Sequence, residues 1–332
     1  METGLMLIVS LLIILAGAEA FTNSVEWLGK KLNLSEGAVG SVLAAVGTAL
    51  PETMIPLIAI FFGGEKQGAE IGVGAILGAP FMLGTLALFV TGAAIAVNKS
   101  LGRRSLAVNA DLRVMTRDLH YFLLVFALAV AASFLPHSIR PLLAVVLFGG
   151  YGLYVYRTFQ DEGSSSDEGD ALKPLYCCPK KVVPPLAFVI LQLALSLGLI
   201  VGGAHLFVTM IEKIAQAVNL SPMILSLVIA PIATELPEKL NSIIWVGQKK
   251  DTLALGNISG AMVFQSSIGP AIGILLTPWV IDGFSLLSAA LTLISIAVIV
   301  FDLHKNKRLS VYNLLLSGVF YLIFLGVLIS SI

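Results

Sequence analysis

Two glutamates, Glu52 and Glu238, stand in long, mainly apolar stretches, and each closes a Leu-Pro-Glu run. Thr48 and Thr234 lie four residues earlier, on the same helix face, so each stretch offers a hydroxyl beside a carboxylate. Pro51 cannot donate to the carbonyl of Gly47, nor Pro237 to that of Ala233, so each helix is expected to break there and free a carbonyl oxygen. Carboxylate, hydroxyl and carbonyl oxygens together suit a hard divalent cation. An ionisable side chain within a membrane costs roughly 2.5–3.5 kcal/mol on insertion scales. One such glutamate can also be read as a packing group satisfied by neighbouring hydroxyls; two at matched positions point to a cation site.

The match is an internal repeat. The segment from Phe21 to Glu52 overlays the segment from Phe207 to Glu238 without a gap, pairing Glu26 with Glu212, Asn33-Leu34-Ser35 with Asn219-Leu220-Ser221, and Leu50-Pro51-Glu52 with Leu236-Pro237-Glu238. Glu19 and His205 share that register, for which a packing role is favoured over one in proton handling or gating. A second overlay places Gly72 to Pro80 over Ala254 to Met262.

The elements that must position these residues are membrane helices. The chain is 57% hydrophobic and 12% charged, with mean hydropathy +0.95, a composition that implies lipid as the solvent. We count ten apolar stretches of roughly spanning length: Gly4 to Thr22, Gly37 to Phe62, Ile71 to Val97, His120 to Leu135, Pro141 to Tyr156, Val183 to Ile211, Ser221 to Val246, Leu253 to Pro278, Phe284 to Phe301 and Val311 to Ile329. No Lys or Arg precedes the first, so it is expected to be retained rather than cleaved. The fold expected is an all-α polytopic membrane protein. Residues 1–157 form the first five-span repeat, 158–182 a cytoplasmic linker and 183–332 the second repeat. An odd number of spans per repeat inverts the second copy, which places a substrate site near the midplane.

Sixteen of the twenty Lys and Arg fall on one side under this count. They are Lys30 and Lys31, the five from Lys99 to Arg117, the four from Arg157 to Lys181, Lys249 and Lys250, and Lys305, Lys307 and Arg308. Lys66, Arg140 and Lys213 fall on the other. Both termini are therefore expected outside the cytoplasm. Orientation accounts for the basic loops, so a nucleic-acid partner is not expected; the partners are inorganic cations and the lipid bilayer. The acidic run from Asp161 to Asp170 lacks the alternating ligands of an EF-hand and reads as solvated linker. Cys177 and Cys178 read as structural or incidental, and no cofactor is expected.

Gly47 to Glu52 (GTALPE) and Ala233 to Glu238 (ATELPE) resemble the paired signature motifs of the calcium/cation antiporter superfamily, which includes the sodium/calcium exchangers. The resemblance implies that Glu52 and Glu238 bind calcium directly, with Thr48 and Thr234 contributing. It implies antiport of calcium, or a related divalent cation, by alternating access in the cell membrane, with sodium as the first coupling ion and the proton as the alternative.

The chain departs from the family pattern at several positions. Ala49 and Glu235 stand where Ser is usual. Gly78-Ala79-Pro80 with Leu83, and Gly260-Ala261-Met262 with Gln265, stand where the third and eighth spans usually carry Gly-Ser-Asn and then Asn or Asp. Glu235 and Gln265 thus join the candidate ligands, while three oxygen ligands are lost. Lys239, four residues after Glu235, offers an ion pair as an equal reading of that carboxylate. With Lys239 counted, Glu52, Glu235 and Glu238 leave two negative charges, which match one divalent cation. An intramembrane metal enzyme is disfavoured by the lack of any HExxH-type spacing among the histidines. A channel suits paired interrupted helices less well than a transporter does.

Overall fold

The computed structural model describes residues 2–31, 44–161, 172–179 and 183–331; within these, only the backbone is described for 44–51, 65, 159–161, 233 and 236–241. Helices account for nearly all of it. In chain order they are α1 (Glu2–Lys31), α2 (Ala44–Phe62), α3 (Glu65–Met82), α4 (Leu88–Ser100), α5 (Leu112–Ala131), α6 (Arg140–Asp161), α7 (Leu186–Val218), α8 (Pro222–Gly247), α9 (Asp251–Leu276), α10 (Gly283–Asn306) and α11 (Val311–Ser330). A π-helical turn, Leu83–Ala87, joins α3 to α4 in one continuous rod. Among the described residues, seven helical segments are long and apolar enough to cross a membrane: α1, the α3–α4 rod, α5, α7, α9, α10 and α11. Their outer faces carry large apolar side chains such as Leu322, Phe134 and Ile329, as a lipid-facing surface requires. The sequence counts α2, α6 and α8 as spans too. All three are helical, but α6 has Arg140, Arg157 and Asp161 near its ends and three glycines and three tyrosines between.

Helix ends differ from expectation where local capping extends them. The fourth stretch was expected from His120, but α5 begins two turns earlier because Asp111 caps it, its side chain accepting from the backbone N–H of Arg113 at 2.8 Å. Arg117 and Asp118 therefore lie within a helix rather than a loop. The prolines of the motifs also behave differently from expectation. α2 runs through Pro51 and α8 through Pro237 without a break in helical backbone. A proline removes one intrahelical bond and crowds one carbonyl, while the flanking turns keep theirs. The interrupted rod is instead the one holding Pro80. There Gly84 lies so close to α10 that a Cβ would meet Thr292 Cγ2 at 2.8 Å, and the Ser295 hydroxyl donates to the Gly84 carbonyl at 2.7 Å.

The chain divides into two compact units, residues 1–68 with 157–220 and residues 69–156 with 221–332. In the first, α1 lies along α7. Gly17 approaches Ile200, and Gly203 approaches Ile14, so closely that a Cβ on either glycine would fall 2.8–2.9 Å from the isoleucine Cγ1. Rising numbers along α1 meet falling numbers along α7, so the two helices are antiparallel. Residues 172–179, which fall in the expected linker after its acidic run, are docked on this pair. Leu175 is fully buried with Trp27 and Val189, and the Lys173 carbonyl accepts from the Trp27 indole at 2.9 Å. Gln192 binds the Asn23 side chain and accepts from the Cys177 N–H. The acidic residues 162–171 lie outside the described residues.

In the second unit, Phe81 packs on Tyr321 and Phe324 in a core continuous through α3, α4, α5 and α8–α11. Arg104 grips Asp251 with both guanidinium nitrogens at 2.7 Å, and Asp251 also accepts from the Asn109 N–H. Both side chains are almost wholly buried, so the loop after α4 is pinned to the start of α9. Asp251→Leu leaves a buried guanidinium without its counter-charge and is expected to cost roughly 3–5 kcal/mol, whereas the double variant Arg104→Met/Asp251→Leu should cost less. Thermal unfolding of the detergent-solubilised proteins reads the difference.

Candidate cation site

Glu52 is buried at 8% exposure on α2, in the first unit. Its neighbours Gly47, Thr48 and Pro51 have side chains outside the described residues, as do Ala233, Pro237, Glu238 and Lys239 on α8. What is described on α8 is Thr234 and Glu235. Thr234 is buried and donates its hydroxyl to the Ala230 carbonyl at 3.1 Å, which orients its oxygen lone pairs away from its own helix. Glu235 is 1% exposed, and its Oε1 accepts a hydrogen bond of 2.7 Å from the Gln265 amide of α9.

Two residues that depart from the usual family pattern are thus brought together. Gln265 supplies a neutral donor to a buried carboxylate, and a charge-assisted hydrogen bond of this kind is worth about twice a neutral one. Their meeting crosses thirty positions of sequence and could not be read from helix periodicity, which pairs Glu235 only with Lys239.

The positions that lost oxygen ligands pack as core. Ala79 is 3% exposed and Leu83 fully buried. Gly78 approaches the Leu227 carbonyl so closely that a Cβ would sit 2.2 Å from it, and Gly74 does the same at Met223. The Ser226 hydroxyl adds a 2.8 Å bond to the Ile71 carbonyl. These contacts draw α3 against α8 through small residues, as membrane helices commonly do.

Sequence reading missed a further buried carboxylate. Asp118 accepts from the Ser259 hydroxyl at 2.6 Å and from Arg117 Nε at 3.1 Å, and the Arg117 guanidinium lies over the Tyr154 ring. The signal in the sequence is an acid and a base adjacent in the chain, just ahead of the apolar stretch that begins at His120. In the first unit Glu19 accepts from the Tyr176 hydroxyl at 2.8 Å. Lost hydration first, then that bond and the charges of Glu19 and Glu26, push the Tyr176 phenol up to about 12. His205, which shares the repeat register with Glu19, is exposed. Cys177 and Cys178 are free thiols. Among the described residues no group of three or more His, Cys, Asp or Glu could hold a metal ion.

Comparison with known proteins places this geometry. The family model for the sodium/calcium exchanger protein matches residues 3–160 and 188–330, spanning both motifs. The chain belongs to that family. It is 25% identical to CaxA of Alkalimonas amylolytica, a protein provisionally named an antiporter, over 96% of this chain and 97% of that one. Its fold is similar to the crystal structure of the H+/Ca2+ exchanger CAX, with a TM-score of 0.72 at 17% identity, covering 98% of this chain and 82% of CAX. It is also similar to the sodium-calcium exchanger NCX_Mj, with a TM-score of 0.58 at 19% identity, covering 98% of each chain. The chain is thus an integral membrane protein of a cation-exchanger family and not an enzyme. Within the family fold, the bond between α8 and α9 is open to test. Gln265→Leu removes the donor to Glu235 and is expected to cost roughly 1.5–3 kcal/mol. Adding Glu235→Leu should return part of that loss, as measured by thermal unfolding in detergent.

Proposed function

We propose that this family member is a secondary antiporter that exchanges calcium, or a related divalent cation, for sodium across the cell membrane by alternating access. The observation that carries the reading is the pair of symmetry-matched motif carboxylates, Glu52 and Glu238, each within an apolar helix. Thr48 and Thr234 supply hydroxyls, the Gly47 and Ala233 carbonyls supply further oxygens, and Glu235 with Gln265 completes the candidate set. Buried Glu52 in the first unit and the Glu235–Gln265 bond in the second each support a polar site among apolar helices.

The architecture we propose is ten transmembrane helices in two inverted repeats, residues 1–157 and 183–332, with both termini extracytoplasmic. The α1–α7 contact supports it. Gly17 and Gly203 are repeat mates, and so are Ile14 and Ile200. Gly17 meets Ile200 while Gly203 meets Ile14 in an antiparallel pair. Reciprocal contacts of this form are what a two-fold axis produces, and an axis that reverses helix direction agrees with an inverted repeat.

Proton coupling is the second reading, favoured by the apolar packing of Ala79 and Leu83. Sodium needs oxygen-lined sites, whereas a proton needs only a carboxylate whose environment tunes its affinity. Glu235 is the carboxylate we assign to that role if protons couple.

Calcium uptake into proteoliposomes should respond to a sodium gradient at fixed pH. Uptake driven by a pH gradient in sodium-free buffer would instead establish proton coupling, and uptake with no counter-ion gradient would mark a channel. Glu52→Gln and Glu238→Gln keep the side-chain shape but remove the charge that offsets a cation's lost hydration, so each should reduce uptake at least a hundredfold with the protein still extractable. Transport at the unmodified rate in either variant would refute the assignment.

A further inference from the structure

His120 on α5 and His304 on α10 lie on exposed faces of the second unit, with ring centroids 5.0 Å apart and ring planes 73° to one another. Each ring is anchored to its own helix. Nδ1 of His120 is 2.5 Å from the Thr116 carbonyl oxygen, and Nδ1 of His304 is 2.9 Å from that of Val300. A carbonyl can only accept, so both Nδ1 atoms carry the proton. In neutral imidazoles this leaves a lone pair on each Nε2. A histidine whose far ring nitrogen donates to a carbonyl is in the state that metal ligands adopt, with tautomer and ring orientation already set.

The spacing also fits. An ion held ~2.0–2.1 Å from each of two Nε2 atoms at a near-tetrahedral angle places the two ring centroids roughly 5 Å apart, whatever the angle between the ring planes. His120 opens the fourth apolar stretch and His304 lies three residues past the end of the ninth, so the pair stands at span ends, where water can complete the coordination. The basic side chains next to them in sequence on these helices have other partners. Arg117 is held by Asp118 and the Tyr154 ring, and Lys305 lies over Phe301.

We propose that His120 and His304 form a two-imidazole site for a first-row transition ion such as Zn2+ or Ni2+, bridging α5 and α10 and separate from the carboxylate motifs. Imidazole selects such borderline ions, whereas calcium takes oxygen ligands. The site therefore distinguishes a bound transition ion from the transported cation, and it does not depend on the transport reading. Its position two residues before the end of α10 makes it a clasp between two helices of one unit.

Equilibrium binding of Ni2+ to the purified full chain in detergent, with millimolar Ca2+ present throughout, tests this. The expected result is one Ni2+ per chain, with affinity at least tenfold weaker in His120→Gln and equally in His304→Gln, since either change leaves a single imidazole. His137→Gln/His205→Gln, which removes the other two histidines, should bind as the unmodified chain does. Ni2+ should also raise the thermal midpoint of the unmodified chain and of His137→Gln/His205→Gln but not of the two single variants. Binding that survives in both His120→Gln and His304→Gln, or an unmodified chain that binds no better than they do, would overturn the site and leave the two rings as packing alone.

Discussion

Lipid offers no hydrogen bonds, so every polar group carried into the bilayer must find its partner within the protein. This constraint accounts for the polar chemistry of the fold. Serines and threonines along the helices return their hydroxyls to carbonyls three or four residues back, as Thr85, Thr91, Thr292 and Ser267 do. Where a hydroxyl reaches another helix it meets a carbonyl, a carboxylate or another hydroxyl. Ser295 serves Gly84 in the π turn, and Ser259 serves Asp118. Carboxylates are the severest case, and Glu235, Asp118 and Asp251 each have a donor supplied by another segment or by the adjacent arginine.

Close approach of helices is the complement of that constraint. With lipid as apolar as the core, packing and hydrogen bonding hold the helices together, and both improve as backbones approach. Gly74 and Gly78 on α3, Gly84 in the π turn, and Gly17 and Gly203 in the first unit mark the points where any side chain would collide with a neighbouring helix. At Gly273 the collision partner is Trp279, whose indole donates to the Ala129 carbonyl and ties the end of α9 to α5. Substrate positioning in a cation exchanger depends on such contacts, because ligands on different helices keep their geometry only if the helices keep theirs.

Much of this was legible in the residues. The repeat register predicted which positions are equivalent, and the α1–α7 glycine contacts fall on two such pairs. The apolar stretches located the helices, because their periodicity and length are properties of local sequence. Glu52 reads as buried in the sequence and is buried in the structure. Helix ends were less legible, since a cap such as Asp111 decides them through one side-chain geometry rather than through composition.

The sequence by itself determined that the chain is a membrane protein, that it is duplicated, and that two matched carboxylates distinguish it, because hydropathy, register and charge are read residue by residue. Only the tertiary structure decided that Glu235 is bonded to Gln265, that Asp118 is a buried acid held by Ser259, that Leu175 docks part of the expected linker, and that His120 faces His304. Each of these joins residues from different helices or loops. A pairing of that kind depends on how helices rotate and approach one another, and local sequence does not encode it.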